Sequence, residues 1–446
     1  MTFTKFGKAL LMSALSVGVV LSITSCVQSY TVGFLYVTGT VTAQSGNNGI
    51  ITGYKIDHNT GKLTVIHGLP VSTGGSNPIR AALITGSRFL YVLNRGVNSA
   101  GNADCSTADP CQNGNITEFA VGGNGILTEQ QTYYTQGINP MRLAADSSGS
   151  FLYVLDHDAP DNADCHLALG SGVNTCADIT AFQINTTTGR LQLILNSQVT
   201  SANGGKPLPF FPIPADPIDF QLTAGYIFSL FGTPATGDYV FPYAFNTSNG
   251  QLTISQNSPQ PMNVANATAI DNGGGSIYVL ANDPLTIPAG NPTFTAGTYC
   301  SQMLAWTPGT GGALSPTQGG TVPDDVTLCN PTQLLVESKG KFVYLANQGI
   351  DTNTTNAQSG IAAYVLDPST HALSFIAGEP FGSGSGPQCL VEDPSDQFVY
   401  TANFNDSTVT GRVVDPNSGV LNPLSGPGSY PVGGPPTWCL VDGRTS

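Results

Sequence analysis

The sequence is poor in charge: Asp, Glu, Lys and Arg make up 9% of its 446 residues, against about 25% in an ordinary globular chain. That shortage argues against long solvated helices and coiled coils, whose outer faces need charge. Basic residues are the scarcer sign, 14 Lys+Arg against 28 Asp+Glu for a formal net charge of −14. No basic stripe is available to neutralise phosphates, and no nucleic-acid partner is expected. Beyond the first 26 residues no run approaches the roughly 18 apolar residues of a membrane span, so the rest should be soluble. The absence of any CxxC pair, with only five His, leaves little from which to build a structural zinc site. What the chain has in plenty is glycine (53), proline (31) and a 40% hydrophobic fraction, the composition of strands joined by turns.

The N-terminus carries an address. Lys5 and Lys8 precede a run from Ala9 to Ile23 that is apolar apart from Ser and Gly, and Ile23-Thr24-Ser25 leads into Cys26. This pattern resembles a bacterial lipoprotein signal, with residues 1–25 removed, the Cys26 thiol lipidated and residues 26–33 forming a short tether. Val27 follows Cys26 instead of Asp, and by resemblance to the sorting pattern the protein is expected at the outer membrane, held by its lipid anchor alone. Setting Cys26 aside leaves an even number of cysteines in a chain bound for an oxidising compartment. Cys105 with Cys111, and Cys165 with Cys176, are close in sequence within Asp-, Asn-, Gly- and Ala-rich loops, and local bridges are expected. The partners of Cys300, Cys329, Cys389 and Cys439 are left open.

Repetition decides the fold. An aromatic and β-branched run recurs seven times: Phe34–Val37, Phe89–Val92, Phe151–Val154, Tyr226–Phe228, Ile277–Val279, Phe342–Leu345 and Phe398–Tyr400. Asn or Asp often ends it, as at Asn94, Asp156, Asn282, Asn347 and Asn403. A second strand follows each run, and most units then close on a glycine turn such as Thr188-Gly189-Arg190-Leu191 or Ser418-Gly419-Val420-Leu421, where glycine supplies a positive φ. A further strand, usually announced by Asn-Pro, Asp-Pro or Gly-Pro, lies upstream of each run. Four strands per unit over about 60 residues imply an all-β, seven-bladed β-propeller spanning residues 34–446, because each small sheet must bury both faces against its neighbours. The first unit lacks its Pro-led strand and the chain finishes on an orphan one, Pro436–Asp442. Pairing that C-terminal strand with the N-terminal blade closes the ring and leaves no open edge.

The Tyr-Val-x-Asn strand ends, the Asp-x-x-Thr-Gly-x-Leu hairpins and the Pro-led strands resemble the seven-bladed β-propeller lactonases, a 6-phosphogluconolactonase-like group that overlaps the YVTN-repeat propellers. The resemblance runs from Phe34 to Asp442 and implies hydrolysis of a sugar lactone or related cyclic ester, a carboxylic ester hydrolase with no required cofactor. Well-known members carry Pro-Arg-His at the start of an inner strand; here Pro78-Ile79-Arg80 and Pro140-Met141-Arg142 bring the Arg one residue later and no His. Two tryptophans are too few for the repeated dockings of quinoprotein dehydrogenases, and the landmarks of WD repeats are missing.

In such a ring the Pro-plus-two position samples the channel mouth blade by blade: Arg80, Arg142, Asp219, Gln333, Cys389 and Trp438, with blade five falling near Thr268. Two guanidiniums at one slot suit an anionic group or a carbonyl oxygen gaining negative charge; inter-blade ion pairing is the alternative. The catalytic candidates are therefore Arg80, Arg142, Asp219 and His157, the last two as bases, with Gln333 and Trp438 as substrate contacts. Asp156 and Asp158 flank His157 and are the candidate ligands of a divalent cation, although the spacing matches no calcium loop. His58, His67 and His371 read as surface residues. The expected partner is a small lactone or carbohydrate bound by a monomer. The competing function is a non-catalytic envelope propeller that binds or scaffolds carbohydrate or protein.

Overall fold

The computed structural model describes residues 30–443 apart from 42–47, 85–87, 104, 107, 201–204, 224, 233–236, 255–258 and 350–357. The expected signal and the lipidation site Cys26 lie outside the described residues. Seven antiparallel sheets form the ring, each a meander whose innermost strand is Pro-led except in blade five, where Ala267 takes the place of the proline. Blades two and three, which carry most of the candidate site, run Pro78–Leu83, Phe89–Asn94, Asn115–Val121, Leu127–Tyr133 and Ile138–Ala145, Phe151–Asp158, Ala177–Ile184, Leu191–Leu193. Blades one, three, four and seven each add a short fifth strand. The first strand, Thr31–Thr40, begins slightly before Phe34 and pairs with Pro436–Asp442 in the register Phe34↔Asp442 to Gly39↔Pro436, which closes the ring as expected. Among the described residues no helix is long and apolar enough to cross a membrane.

The recurring Phe-x-Tyr motif staples blade to blade. Tyr36, Tyr153, Tyr344 and Tyr400 donate their hydroxyls to the carbonyls of Gly125, Gly250, Gly419 and Gly61 at 2.7–3.2 Å, and Tyr91 does the same to Gly189. Each acceptor is the turn glycine of the following blade. The Phe two residues before each Tyr lies over that glycine; at Gly419, with φ 74°, a Cβ would run into the Phe342 ring. The turn therefore needs glycine twice, for its backbone and for the close approach. Blade six departs from this: His371 takes the turn position at φ 57° and its Nδ1 meets Ser276 Oγ at 2.7 Å, a partly buried contact and not the free surface the sequence suggested.

Four disulfides are present. Cys105–Cys111 and Cys165–Cys176 bridge within the long loops of blades two and three as expected. Cys300–Cys329 ties blade five to the entry of blade six. Cys389–Cys439 joins the inner strand of blade seven to the closing strand of blade one.

Candidate active site at the channel mouth

Every inner strand begins with the same irregularity. The register slips by one residue between Pro78 and Arg80, and the slip repeats in all seven blades, at Ala267/Ala269 in blade five and opposite Thr38/Gly39 in blade one. The residue before the proline makes this possible: Asn77, Asn139, Asp216 and Asn330 all hold φ between 53° and 61°, a conformation Asn and Asp tolerate better than other side chains. Such a bulge re-aims the side chain of its extra residue. As a result the Pro-plus-one residues, not the Pro-plus-two residues, form the rim: Thr437, Ile79, Met141, Ile218, Thr268, Thr332 and Gln388 line two adjoining cavities. Blade five has Thr268 on this rim, bonded to Pro331 O at 2.9 Å, and the expected Pro-plus-two slot there is Ala269.

The Pro-plus-two residues lie one layer deeper and pair across blades. Arg142 Nε donates to Asp219 Oδ1 at 2.7 Å, and Arg80 Nη2 stands 3.9 Å from Asp219 Oδ2. Arg80 also lies over the Trp438 ring, 3.6 Å from its centroid, a cation–π contact strengthened by desolvation. Burial and the Arg142 charge push Arg80 down to about 9, so it remains charged at neutral pH. Asp219 further accepts the Phe220 N–H at 2.8 Å and the Ile270 N–H at 3.3 Å. With both oxygens committed, Asp219 is an orienting partner of the guanidiniums and not the base the sequence suggested.

The same logic holds for the other inner-strand polar groups. An innermost strand shows an unpaired ladder edge to the channel, and its N–H groups need acceptors. Asp271 Oδ2 accepts Leu334 N–H and Gln333 Oε1 accepts Leu390 N–H, both at 2.8 Å, so Gln333 is a blade staple instead of a substrate contact. Burial raises Asp271 to about 7, with Asp219 adding to the rise and the two guanidiniums opposing it. Cys389 is spent in its disulfide.

The wider cavity, about 920 Å³, lies over blades three to five and is lined by Met141, Arg142, His157, Asp216, Asn266 and Asn282, among others. His157 Nδ1 lies 3.0 Å from Asp158 Oδ1, and contact with that carboxylate holds the imidazole above its ordinary value against the opposing effect of burial. The narrower well, about 330 Å³, drops toward the channel between Arg80, Arg142, Thr268, Thr332, Gln348, Gln388, Thr437 and the exposed ring of Phe404. Arg142 belongs to both cavities. Sequence reasoning missed Asp216, Asn266, Asn282 and Phe404; the first could have been found as the residue before an inner-strand proline, whereas Phe404 follows a strand-end Asn with no other signal.

Asp156 and Asp158 do not converge. Asp158 turns to His157, while Asp156 is fully buried opposite Asp178 in the ladder, with Thr180 Oγ1 3.2 Å from a carboxyl oxygen of each. Burial raises Asp156 to about 7, and burial plus the Asp156 charge raise Asp178 well beyond the usual carboxylate range. Among the described residues no group of three His, Cys, Asp or Glu is placed to hold a metal ion.

A family-level comparison matches residues 47–205 and 302–439 to "Lactonase, 7-bladed beta-propeller". No curated protein sequence matches the chain. Among solved structures, a Bacteroides uniformis protein provisionally named a 6-phosphogluconolactonase is similar at a TM-score of 0.63 and 14% identity, covering 92% of this chain and 100% of its own. The periplasmic gluconolactonase of Pseudomonas aeruginosa is similar at 0.59 and 17% identity, covering 92% and 98%. At such identities the likeness is one of fold. The family match spans more than half of the sequence and coincides with the blades described above, and the chain belongs to the seven-bladed β-propeller lactonase family.

Proposed function

We propose that the channel mouth hydrolyses a sugar lactone or related cyclic ester. The observation that carries this reading is the place of Arg142, whose side chain reaches both cavities while His157 stands on the wall of the wider one. A lactone carbonyl laid against the guanidiniums gains stabilisation as negative charge grows on its oxygen. His157, with Nδ1 turned to Asp158, has Nε2 left to act as base. It takes a proton from a water in the cleft as the water oxygen bonds to the carbonyl carbon. The tetrahedral intermediate then breaks its ring C–O bond, and the departing oxygen takes the proton back from the imidazolium, giving the hydroxy acid. Family membership and the names of the two neighbours support the reaction class.

The test is turnover of a panel of sugar lactones by the protein beginning at Val27. Arg142→Ala is expected to lower kcat by about 10²–10³, as for loss of one oxyanion donor. A second reading, carbohydrate or protein binding without catalysis, is favoured by the prior commitment of Arg142 Nε to Asp219; absence of turnover on every lactone selects it. The four disulfides fit an oxidising compartment and support export; anchoring to the outer membrane through Cys26 is proposed from the sequence around that residue alone. Cys26→Ser should then release the protein from the membrane fraction.

A further inference from the structure

The narrow well has an electrostatic character at odds with the rest of the chain. In a protein of net charge −14, the well is lined by two guanidiniums and, among its described lining residues, by no Asp or Glu. Asp219 lies beneath and offsets one positive charge, which leaves a surplus of one while the buried Asp271 carboxyl behind the pair holds its proton. Arg142 spends Nε on Asp219 and Nη1 on the Met141 carbonyl. Among the described residues the Arg80 N–H groups have no hydrogen-bond acceptor, and their side chain keeps 14% of its surface exposed. Beside them Gln348 has its amide oxygen taken by Asn330 Nδ2 at 2.9 Å, which leaves its NH₂ group as the available function. The Thr268 and Thr332 hydroxyls donate to backbone carbonyls at 2.9 and 3.0 Å, so they have acceptor lone pairs only. Phe404, 38% exposed, supplies an apolar face at the rim.

We propose that this well selects a sugar ring bearing a single carboxylate, the anion seated on Arg80 beside the Arg142 charge and the ring against Phe404, and that it discriminates against both neutral and phosphorylated sugars. The planar fork of Arg matches a carboxylate. A phosphate monoester brings about −1.5 to −2 charges against a surplus of one, and the Asp271 carboxyl behind the pair adds further repulsion once ionised. A cavity of about 330 Å³ is at the small end of ligand sites and holds one ring. The inference rests on the channel mouth being the substrate site, but it is read by binding, so a protein that binds without hydrolysing leaves it standing.

Calorimetric titration of the whole protein with D-glucuronate, D-glucose and D-glucose 6-phosphate tests it. D-Glucuronate should bind at least about tenfold more tightly than either of the others, and added salt should weaken it. Arg80→Gln should lose that preference. Gln388→Glu, which adds one negative charge at the rim and leaves the guanidiniums in place, should lose it too, and this variant does not depend on the fold tolerating loss of a buried cation. Equal affinity for D-glucose, equal or tighter binding of D-glucose 6-phosphate, or no binding of D-glucuronate overturns the proposal.

Discussion

Blades two and three are built alike and behave differently. Both carry an Asn-Ala-Asp-Cys loop closed by a disulfide, an Arg at the same inner-strand slot, and a strand-end polar pair one level below the mouth. In blade two that pair is Asn94 and Asn115, and Asn94 Nδ2 donates to Asn115, Thr117 and the Thr73 carbonyl. In blade three the corresponding residues are Asp156, Asp178 and Thr180. Carboxylates cannot donate, so the same scaffold there keeps a proton between two buried acids that cannot both ionise. The residue that follows is Arg95 in blade two and His157 in blade three. Blade two thus presents fixed charge and amides at these positions, and blade three presents groups that titrate. A repeat can share its backbone and still separate permanent charge from proton transfer.

The sharpest division is expected in kinetics. If the blade-three Arg works on the reacting carbonyl and the blade-two Arg on the bound anion, Arg142→Ala should cut kcat by about 10²–10³, while Arg80→Ala should act mainly on KM; the reverse pattern breaks the assignment. Next comes pH. A base must be unprotonated, and His157 is held above its ordinary value by Asp158, so kcat/KM should rise with pH along a limb displaced above about 6.5. His157→Gln should remove the limb and Asp158→Asn should move it down; a profile unchanged by both makes blade three as inert as blade two.

Asp178→Asn converts the blade-three pair toward that of blade two. The raised carboxyls bind protons more strongly in the native state, so their contribution to stability is complete below the ordinary carboxylate range and is lost as pH rises toward about 7. The variant has no such proton to lose. Chemical denaturation should find it equal to the parent near pH 4 and more stable by about 1–2 kcal/mol at pH 8; equal stability at both pH values would mean that the pair is not proton-linked. The smallest effect tests what the blades share. Tyr91→Phe and Tyr153→Phe each delete one buried hydroxyl donor to a glycine carbonyl and should each cost about 1 kcal/mol; a large difference between them would show that the staples are not equivalent.

The staples also explain why the fold was legible. The Phe-x-Tyr run and the glycine turn are the two halves of one inter-blade contact, so the pattern that repeats in sequence is the pattern that packs. The local disulfides and the closing strand followed from spacing and from one missing strand. The rim was misplaced by one residue because the Asn-Pro and Asp-Pro steps set up a bulge that alternation cannot reveal. Gln333 and Asp219 read as free functional groups because the acceptors that they supply to backbone N–H groups belong to neighbouring blades. Asp156 read as a candidate cation ligand because its partner Asp178 lies beyond the intervening Cys165–Cys176 loop. Cys389 and Cys439 meet only through closure of the ring, 50 residues apart in sequence.

The closing strand has a consequence for biogenesis. Thr38 and Trp438 are bonded neighbours separated by 400 residues, so blade one stays incomplete until nearly the whole propeller has been synthesised. Trp438, the surface on which Arg80 rests, and Cys439, which locks blade seven to blade one, arrive together in that last strand. Translation that stops short of it yields a chain with its blade repeats but no closed ring and no cradle for Arg80. The protein thereby reserves a finished channel mouth for molecules that have been made as far as their closing strand.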